Sequence, residues 1–384
     1  MAAGMKEVFV ANHSIVSPLG FTSEENFNNI VNGNSGIQSV QYSFSDNPFF
    51  ISALDEALVD EHFKSHASPL DYTKLEKMSI MAISHVLNQS NVNASAKDTL
   101  LIYATTKGNI DLLDKASSLK KFATERMTLN GFAKHIAAHF SFVNEPIVIS
   151  NACISGLLAL IVAKRFIEAE LYKNVVVAAG DIISEFVISG FKAFNALSQS
   201  ACRPYDRTRD GISLGEAAVA MIVTENKSIA NNPLRIVNGS SSNDANHISG
   251  PSRDGNGLLQ SIHHTLKEND SNNVDFICAH GTATVFNDEM EAMAFSRAGL
   301  EEVPMNSLKG YFGHTLGAAG LLETIISIES LNNDLLIASK GFENEGVSKK
   351  INVIEHTETK KNMKSFLKTS SGFGGCNASV LISK

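Results

Sequence analysis

The chain has 384 residues, 43% of them hydrophobic, and a formal net charge of −8. That length supports two cores or one large duplicated unit, and the acidic balance argues against non-specific nucleic-acid binding. No apolar run reaches the roughly 18 residues of a membrane-spanning helix, and the N-terminal stretch lacks the basic-then-apolar pattern of a signal peptide.

In chain order, residues 7–11 read as a strand, and Thr22 with Glu25 forms a capping-box start for a helix that closes near Gly33. Residues 72–87 have helical spacing, 99–104 read as a buried strand, and two helices are predicted at 112–121 and 129–140. A strand at 146–150 runs into a turn at Cys153 and then a helix to about residue 171. Strands follow at 175–180 and 217–223, separated by a charged turn region at 203–211.

The second half repeats this rhythm. Strands are predicted at 234–238, 274–278, 366–369 and 378–382, and helices at 256–267, 287–298 and 317–332. Strands alternating with helices imply parallel α/β layering. A short internal echo, Gly156-Leu157-Leu158 against Gly320-Leu321-Leu322, marks the helix behind each of two glycine-rich turns and suggests two similar halves. No low-complexity linker separates them, so they should pack together.

Three residues stand out chemically. Cys153 lies in Ser150-Asn151-Ala152-Cys153-Ile154-Ser155-Gly156, between an apolar β-branched run and an apolar helical pattern. Free amides and the positive end of a helix dipole favour a thiolate at such a turn. His280 lies in Ala279-His280-Gly281-Thr282-Ala283-Thr284, and His314 in Gly313-His314-Thr315-Leu316-Gly317. One thiol and two imidazoles beside glycine-rich turns suggest nucleophilic acyl chemistry. Taken singly, each has an ordinary explanation: cysteine is often a small buried hydrophobe, and histidine before glycine often sits in a turn. The other cysteines, Cys202, Cys278 and Cys376, form no C-x-x-C pair and have no zinc spacing, which fits reduced thiols in a cytoplasmic protein.

Together these motifs resemble the β-ketoacyl-acyl carrier protein synthases, the elongating, decarboxylative condensing enzymes of the thiolase fold. The resemblance runs from about Val8 to Ser383 and is strongest at 151–156, 203–216, 280–291, 309–323 and 371–377. It implies a five-layer αβαβα sandwich of two pseudo-repeated halves, here 5–230 with the nucleophile and 231–384 with the two histidines. It implies Cys153 as acyl acceptor, His280 and His314 as the histidine pair that stabilises the enolate formed by malonyl decarboxylation, and Lys309 paired with Glu323 behind them. Thr282 and Thr284 match threonines that bind the pantetheine arm. Phe373 and Gly374 match the gating segment that meets the substrate, with the backbone N–H of Phe373 joining that of Cys153 in an oxyanion hole. Asp288 and Glu291 match acidic supports of the site loops, and Arg203, Asp206, Arg209, Asp210 and Glu216 read as structural ion pairs.

The implied reaction is condensation of an acyl thioester with malonyl-acyl carrier protein to a β-ketoacyl carrier protein, in fatty acid or polyene/polyketide biosynthesis. The implied partners are an acyl carrier protein and a second subunit, either a homodimer mate or a related synthase-like chain. No metal and no enzyme-bound cofactor is expected, since the carrier supplies the phosphopantetheine. Some positions depart from the family: Asn151 replaces a common Thr, Ile154 a small residue, Ser371 an aromatic one, and Ala11-Asn12 a Thr-Gly pair, while the 108–140 segment is shorter. Two alternatives remain at this stage. One is a thiolase-type acyltransferase using Cys376 as a second reactive cysteine; the other is a catalytic subunit active only beside a chain-length-determining partner.

Overall fold

The computed structural model describes residues 6–114, 121–229, 232–248, 250–270 and 274–384. Ten strands form a continuous hydrogen-bonded sheet. In chain order they are β1 (Phe9–Val16), β2 (Thr99–Ala104), β3 (Ile147–Ile149), β4 (Asn174–Asp181), β5 (Ala217–Thr224), β6 (Leu234–Asn243), β7 (Phe276–Cys278), β8 (Met305–Asn306), β9 (Ser365–Gly372) and β10 (Cys376–Ser383). Their spatial order is β8-β7-β9-β10-β6-β1-β5-β4-β2-β3.

That order contains a duplication. Within β1–β5 and again within β6–β10, the strands lie third-second-fourth-fifth-first. In both sets the fifth strand pairs antiparallel with the first and the fourth, and the second pairs parallel with the third and the fourth. The sets meet where Phe9 faces Arg235 and Val10 faces Leu234. The sheet is therefore mixed, not parallel throughout as the strand–helix alternation suggested. β9 and β10, for example, are a hairpin turned by Phe373-Gly374-Gly375, with φ +83° and +75° at the two glycines.

Six helices complete the layers: α1 (Lys74–Asn88), α2 (Leu129–His139), α3 (Ser155–Glu168), α4 (Asn256–Asp270), α5 (Val285–Arg297) and α6 (Ala319–Asn332). α1 and α2 bury Leu75, Met78, Ile83, Phe132 and Ile136 against the outer face of the first strand set. α3 and α6 lie between the two sets with Leu157, Leu160, Leu321 and Ile325 in the shared core. α4 and α5 cover the outer face of the second set with Leu258, Ile262, Met290 and Phe295. This is the five-layer αβαβα sandwich the resemblance implied.

Local signals explain most of these elements. Thr73 and Glu76 close a full capping box on α1. At the helix Ser23–Val31 only half of the expected box forms: Thr22 caps the Glu25 N–H, but the Glu25 carboxylate takes the Phe21 N–H. Of the predicted helix at 112–121, the described residues show a 3-10 turn at Ile110–Leu113, and residues 115–120 lie outside the described part. The sequence reading also passed over two helices and a small sheet. Asp55 caps Glu56–Phe63 and Ser184 caps Glu185–Ala193, while Gln38–Val40, Phe49–Ser52 and Leu214–Gly215 pair beside them. No helix among the described residues is long and apolar enough to cross a membrane.

The sequence echo marks a close backbone approach in the core. A Cβ on Gly156 of α3 would lie 2.8 Å from the Gly317 carbonyl oxygen and 3.0 Å from the Leu321 nitrogen, and a Cβ on Gly320 of α6 would lie 2.9 Å from the Leu157 nitrogen. Each glycine thus meets the leucine that follows the other. Backbone cannot move aside as a side chain can, so Gly156→Ala should cost about 1–3 kcal/mol of stability. Chemical denaturation of the variant against the parent measures this; an unchanged midpoint would mean that the crossing is not tight.

Candidate active site

β3 ends at Ile149 and α3 begins at Ser155, and Cys153 lies on the sharp turn between them. Ala152 takes a left-handed conformation, φ +44°, which turns the thiol away from the strand. Ser155 holds the turn: its Oγ accepts the Asn151 N–H at 2.8 Å and donates to the Ala152 carbonyl at 2.6 Å. Left-handed backbone recurs around the site at Tyr205 (+64°), Ala283 (+62°) and Leu316 (+52°). Such conformations cost about 1–3 kcal/mol each and persist only where the surroundings over-determine them.

His280 follows β7. Its N–H and that of Gly281 donate to the Glu291 carboxylate at 2.8 and 2.6 Å, and the Thr282 N–H donates to Asp288 at 2.9 Å. Tyr205 donates its N–H to Asp288 and its hydroxyl to Glu291, tying in the 203–211 turn. Asp288 and Glu291 on α5 are therefore the girders of the His280 loop. Burial pushes the Asp288 carboxyl up to about 7 and raises Glu291 as well. Arg209 and Glu216 also make structural contacts, Arg209 to Gly346 O and Glu216 to the Leu54 and Ile183 N–H groups and to Lys74.

His314 follows the short helix Lys309–Phe312 through Gly313 (φ +66°), where a Cβ would lie 2.5 Å from the Leu214 carbonyl oxygen. Its backbone extends the small sheet, with His314 N–H donating to Ser213 O at 2.7 Å and Gly215 N–H to His314 O at 3.0 Å. The next loop is anchored by Asp181, at the end of β4, which accepts N–H groups from Thr106, Lys107 and Gly317 and the hydroxyls of Thr105 and Thr106.

These turns bring the three reactive side chains together. His314 Nε2 lies 3.0 Å from Cys153 Sγ. The two imidazoles meet edge to face with centroids 5.2 Å apart, and the sulfur and a ring nitrogen of each histidine all lie within 4.8 Å of one another. Behind His280, Lys309 Nζ donates to the His280 carbonyl at 2.6 Å, approaches His280 Nδ1 at 3.3 Å and pairs with Glu323 Oε1 at 2.6 Å. An ammonium only donates, so His280 Nδ1 accepts and the ring proton sits on Nε2. His314 Nδ1 is buried and has no hydrogen-bond partner among the described residues.

Burial holds both imidazoles well below their ordinary range, and the nearby positive charges of Lys309 and Lys368 add to this. Cys153 is 8% exposed, and burial pushes its thiol up to about 12, with Cys376 adding and Lys309 and Lys107 opposing. The helix end favours a thiolate, as the sequence suggested, but desolvation outweighs it and the resting sulfur is protonated.

The cluster lies in a cavity of about 650 Å³ lined by Cys153, His280, His314, Thr282, Thr284 and Phe373, among others. The two threonine hydroxyls are 2.8 Å apart. Phe373, at the β9–β10 hairpin tip, packs against Phe191 and Phe194 with centroids 5.8 and 5.4 Å away. A Cβ on Gly372 would lie 3.0 Å from the Cys153 nitrogen, so this hairpin approaches the nucleophile turn backbone to backbone. Gly374, expected at the substrate, does not line the cavity; it makes the hairpin turn and donates its N–H to Ile248 O. Cys376 does not line it either, and its thiol faces the Phe373 carbonyl at 3.3 Å. All four cysteines are unpaired and buried.

Cys153, His280 and His314 are also close enough to share a metal ion. The two ammonium groups behind them, against one carboxylate, make that position unfavourable for a divalent cation. The sequence reading missed Lys368 and Asp181. Their signals were a lysine inside a closing strand and an aspartate ending the apolar run of β4.

Comparison with known proteins agrees with the geometry. Residues 5–228 match the family model described as beta-ketoacyl synthase, N-terminal domain, and residues 235–343 match the C-terminal domain. The chain is 26% identical over 411 residues to 3-oxoacyl-[acyl-carrier-protein] synthase 2 of Vibrio harveyi, covering 99% of each. It is 30% identical over 293 residues to a 3-oxoacyl-[acyl-carrier-protein] synthase homolog of Saccharomyces cerevisiae, covering 69% of this chain and 65% of that one. Among solved structures, a ketosynthase in complex with its chain length factor from Xenorhabdus doucetiae superposes with a TM-score of 0.86 at 21% identity, over 100% of this chain and 99% of that one. The ishigamide ketosynthase/chain length factor gives 0.88 at 19% identity, over 99% and 100%.

The protonated state of Cys153 is testable by ultraviolet difference spectroscopy of the protein against Cys153→Ser. No thiolate absorbance should appear between about pH 6 and 8. A thiolate band at neutral pH would mean that the helix end prevails over burial.

Proposed function

Because the chain belongs to the β-ketoacyl synthase family, we propose that this condensing acyltransferase uses Cys153 as the nucleophile and His280 and His314 as the pair that stabilises the enolate. The supporting observation is the convergence of one sulfur and two imidazoles within 4.8 Å in a cavity that can hold an acyl and pantetheine chain. The sulfur attacks the acyl thioester of a carrier protein. A C–S bond to Cys153 forms, the carrier's C–S bond breaks, and the proton from Cys153 ends on the departing thiol.

A malonyl carrier then enters and loses CO2. The electron pair of the broken C–C bond forms an enolate, whose oxygen is met by imidazole N–H donors. The enolate carbon bonds to the acyl carbon, and the Cys153 sulfur leaves as a thiolate and regains a proton from solvent. The product is a β-ketoacyl carrier two carbons longer. Lys309 and Glu323 act through His280 as positioning residues. Thr282 and Thr284 take the polar atoms of the pantetheine arm, and Arg253, on the outer cavity wall, suits its phosphate. The enzyme needs no cofactor of its own, because the phosphopantetheine arrives on the carrier. Four unpaired cysteines fit a cytoplasmic location.

A second subunit fits the sheet edge. β3 ends the ten-strand order with one side unpaired, and Ile147, Val148 and Ile149 are each half-buried. An apolar edge of this kind invites pairing with another chain, which is either a second copy or a related synthase-like subunit. The pathway product, a fatty acid or a polyene or polyketide chain, follows from the primers accepted.

Cys153→Ala should abolish condensation and leave the fold intact, as read by intact mass spectrometry of carrier-bound products; retained condensation would remove Cys153 from its role. His314→Ala should slow malonyl-carrier decarboxylation by about 10²–10³, and a loss below about tenfold would exclude an enolate-binding role. Light scattering should find the purified chain as a dimer, or as a monomer that gains condensing activity on co-expression with a related subunit. A fully active monomer would count against the β3 interface.

A further inference from the structure

Lys368 sits in the middle of β9 and is 0% exposed. Its ammonium donates to the carbonyls of Thr369 at 2.6 Å and of Cys278 and Ala279 at 3.2 Å each, and lies 2.7 Å from Glu323 Oε2. Cys278 and Ala279 immediately precede His280. The other Glu323 oxygen binds Lys309, which in turn touches His280. One buried carboxylate thus bridges two buried ammonium groups, and the count of two positive charges against one negative leaves one positive charge in excess. A buried lysine is costly unless it is paired and hydrogen-bonded. Lys368 has four such contacts, and although burial pulls its ammonium down, Cys278 and Glu323 carry it above its ordinary range.

We propose that Lys368 is a positioning residue of the condensing site, whose charge leaves the buried Lys368–Glu323–Lys309 group positive and so keeps His280 and His314 uncharged donors toward the enolate. The proposal rests on the condensing function above. A surplus positive charge behind an imidazole opposes its protonation, and the same potential favours negative charge developing on the enolate oxygen. The other ionisable groups facing the two rings are Glu291, beneath the His280 N–H, Asp288 beside it with Arg209, Asp181, beneath Gly317, and the Cys153 thiol with Lys107 in range of it. Burial raises the carboxyls of Glu291, Asp288 and Asp181, which weakens them as counter-charges.

The test is the pH profile of malonyl-carrier decarboxylation by the full-length protein, with histidine-selective NMR as a readout independent of turnover. In Lys368→Met the acid limb of kcat and the titration of His280 and His314 should both move up by about one pH unit, with KM for the malonyl carrier unchanged. Adding Glu323→Gln to Lys368→Met leaves Lys309 alone and restores the single positive charge, so both readouts should return toward the parent. A double variant that is no better than the single one, or unmoved titrations in Lys368→Met, would reduce Lys368 to a structural strut and overturn the proposal. If Lys368→Met does not fold, Glu323→Gln alone raises the excess to two, and both readouts should move down; no movement would overturn the proposal. A parent protein that releases no CO2 refutes the function, whereas the NMR titrations still decide the role of Lys368.

Discussion

The crossing of α3 and α6 at two glycines is the contact on which the site depends. Gly156 accepts the backbone at Gly317 and Leu321, and Gly320 accepts Leu157, so two central helices approach more closely than side chains would allow. The turn carrying Cys153 leads into one helix and the loop carrying His314 leads into the other. Bringing the helix starts together therefore brings a sulfur and an imidazole to 3.0 Å without any contact in sequence. The repeated strand order of the two halves supplies the same geometry twice, and the chemistry occupies the junction.

Charge is the second constraint, and it works against simple expectation. A strand–turn–helix cysteine invites the view that the helix end makes a thiolate. Here burial outweighs the helix end, raising Cys153 and lowering both histidines. Behind the histidines Lys309, Glu323 and Lys368 neutralise one another in part, and Asp210, Asp244 and Arg253 line the cavity in front of them. In the proposed reaction neutral imidazoles would serve the enolate by donating hydrogen bonds from a field fixed before the substrate arrives.

Much of this was legible in the sequence because it is local. The Cys153 turn lies between a β-branched run and an amphipathic helix, and the glycines beside His280 and His314 announce turns. The Gly-Leu-Leu echo pointed to the duplication and proved to be its crossing point. What escaped was non-local or directional. Alternating strands and helices do not reveal that β5 and β10 run antiparallel to their neighbours. The helix Glu185–Ala193 was obscured by a glycine and an apolar composition that resembles a strand. Lys368 meets Glu323 only after β9 has paired with β7 and α6 has packed beneath, so no spacing rule predicts the pair. Gly374 was assigned to substrate by its motif, yet its positive φ serves the hairpin that presents Phe373.

The two histidines are held differently, and the difference suits the two halves of the proposed reaction. His280 is pinned: Lys309 occupies Nδ1, so the ring presents one fixed N–H donor. His314 has its backbone fixed by Ser213 and Gly215, but its Nδ1 meets no polar side chain or backbone group among the described residues. Among these, no partner on Nδ1 fixes its tautomer. In the mechanism proposed above, a proton on Nδ1 would let Nε2 accept the S–H of Cys153 across the 3.0 Å contact. A proton on Nε2 would let the same ring donate to the enolate beside His280. A ring pinned at both nitrogens would serve one of these steps and hinder the other. On that proposal, a fixed donor beside an adaptable one would suit a single cavity to a thiol and then an enolate.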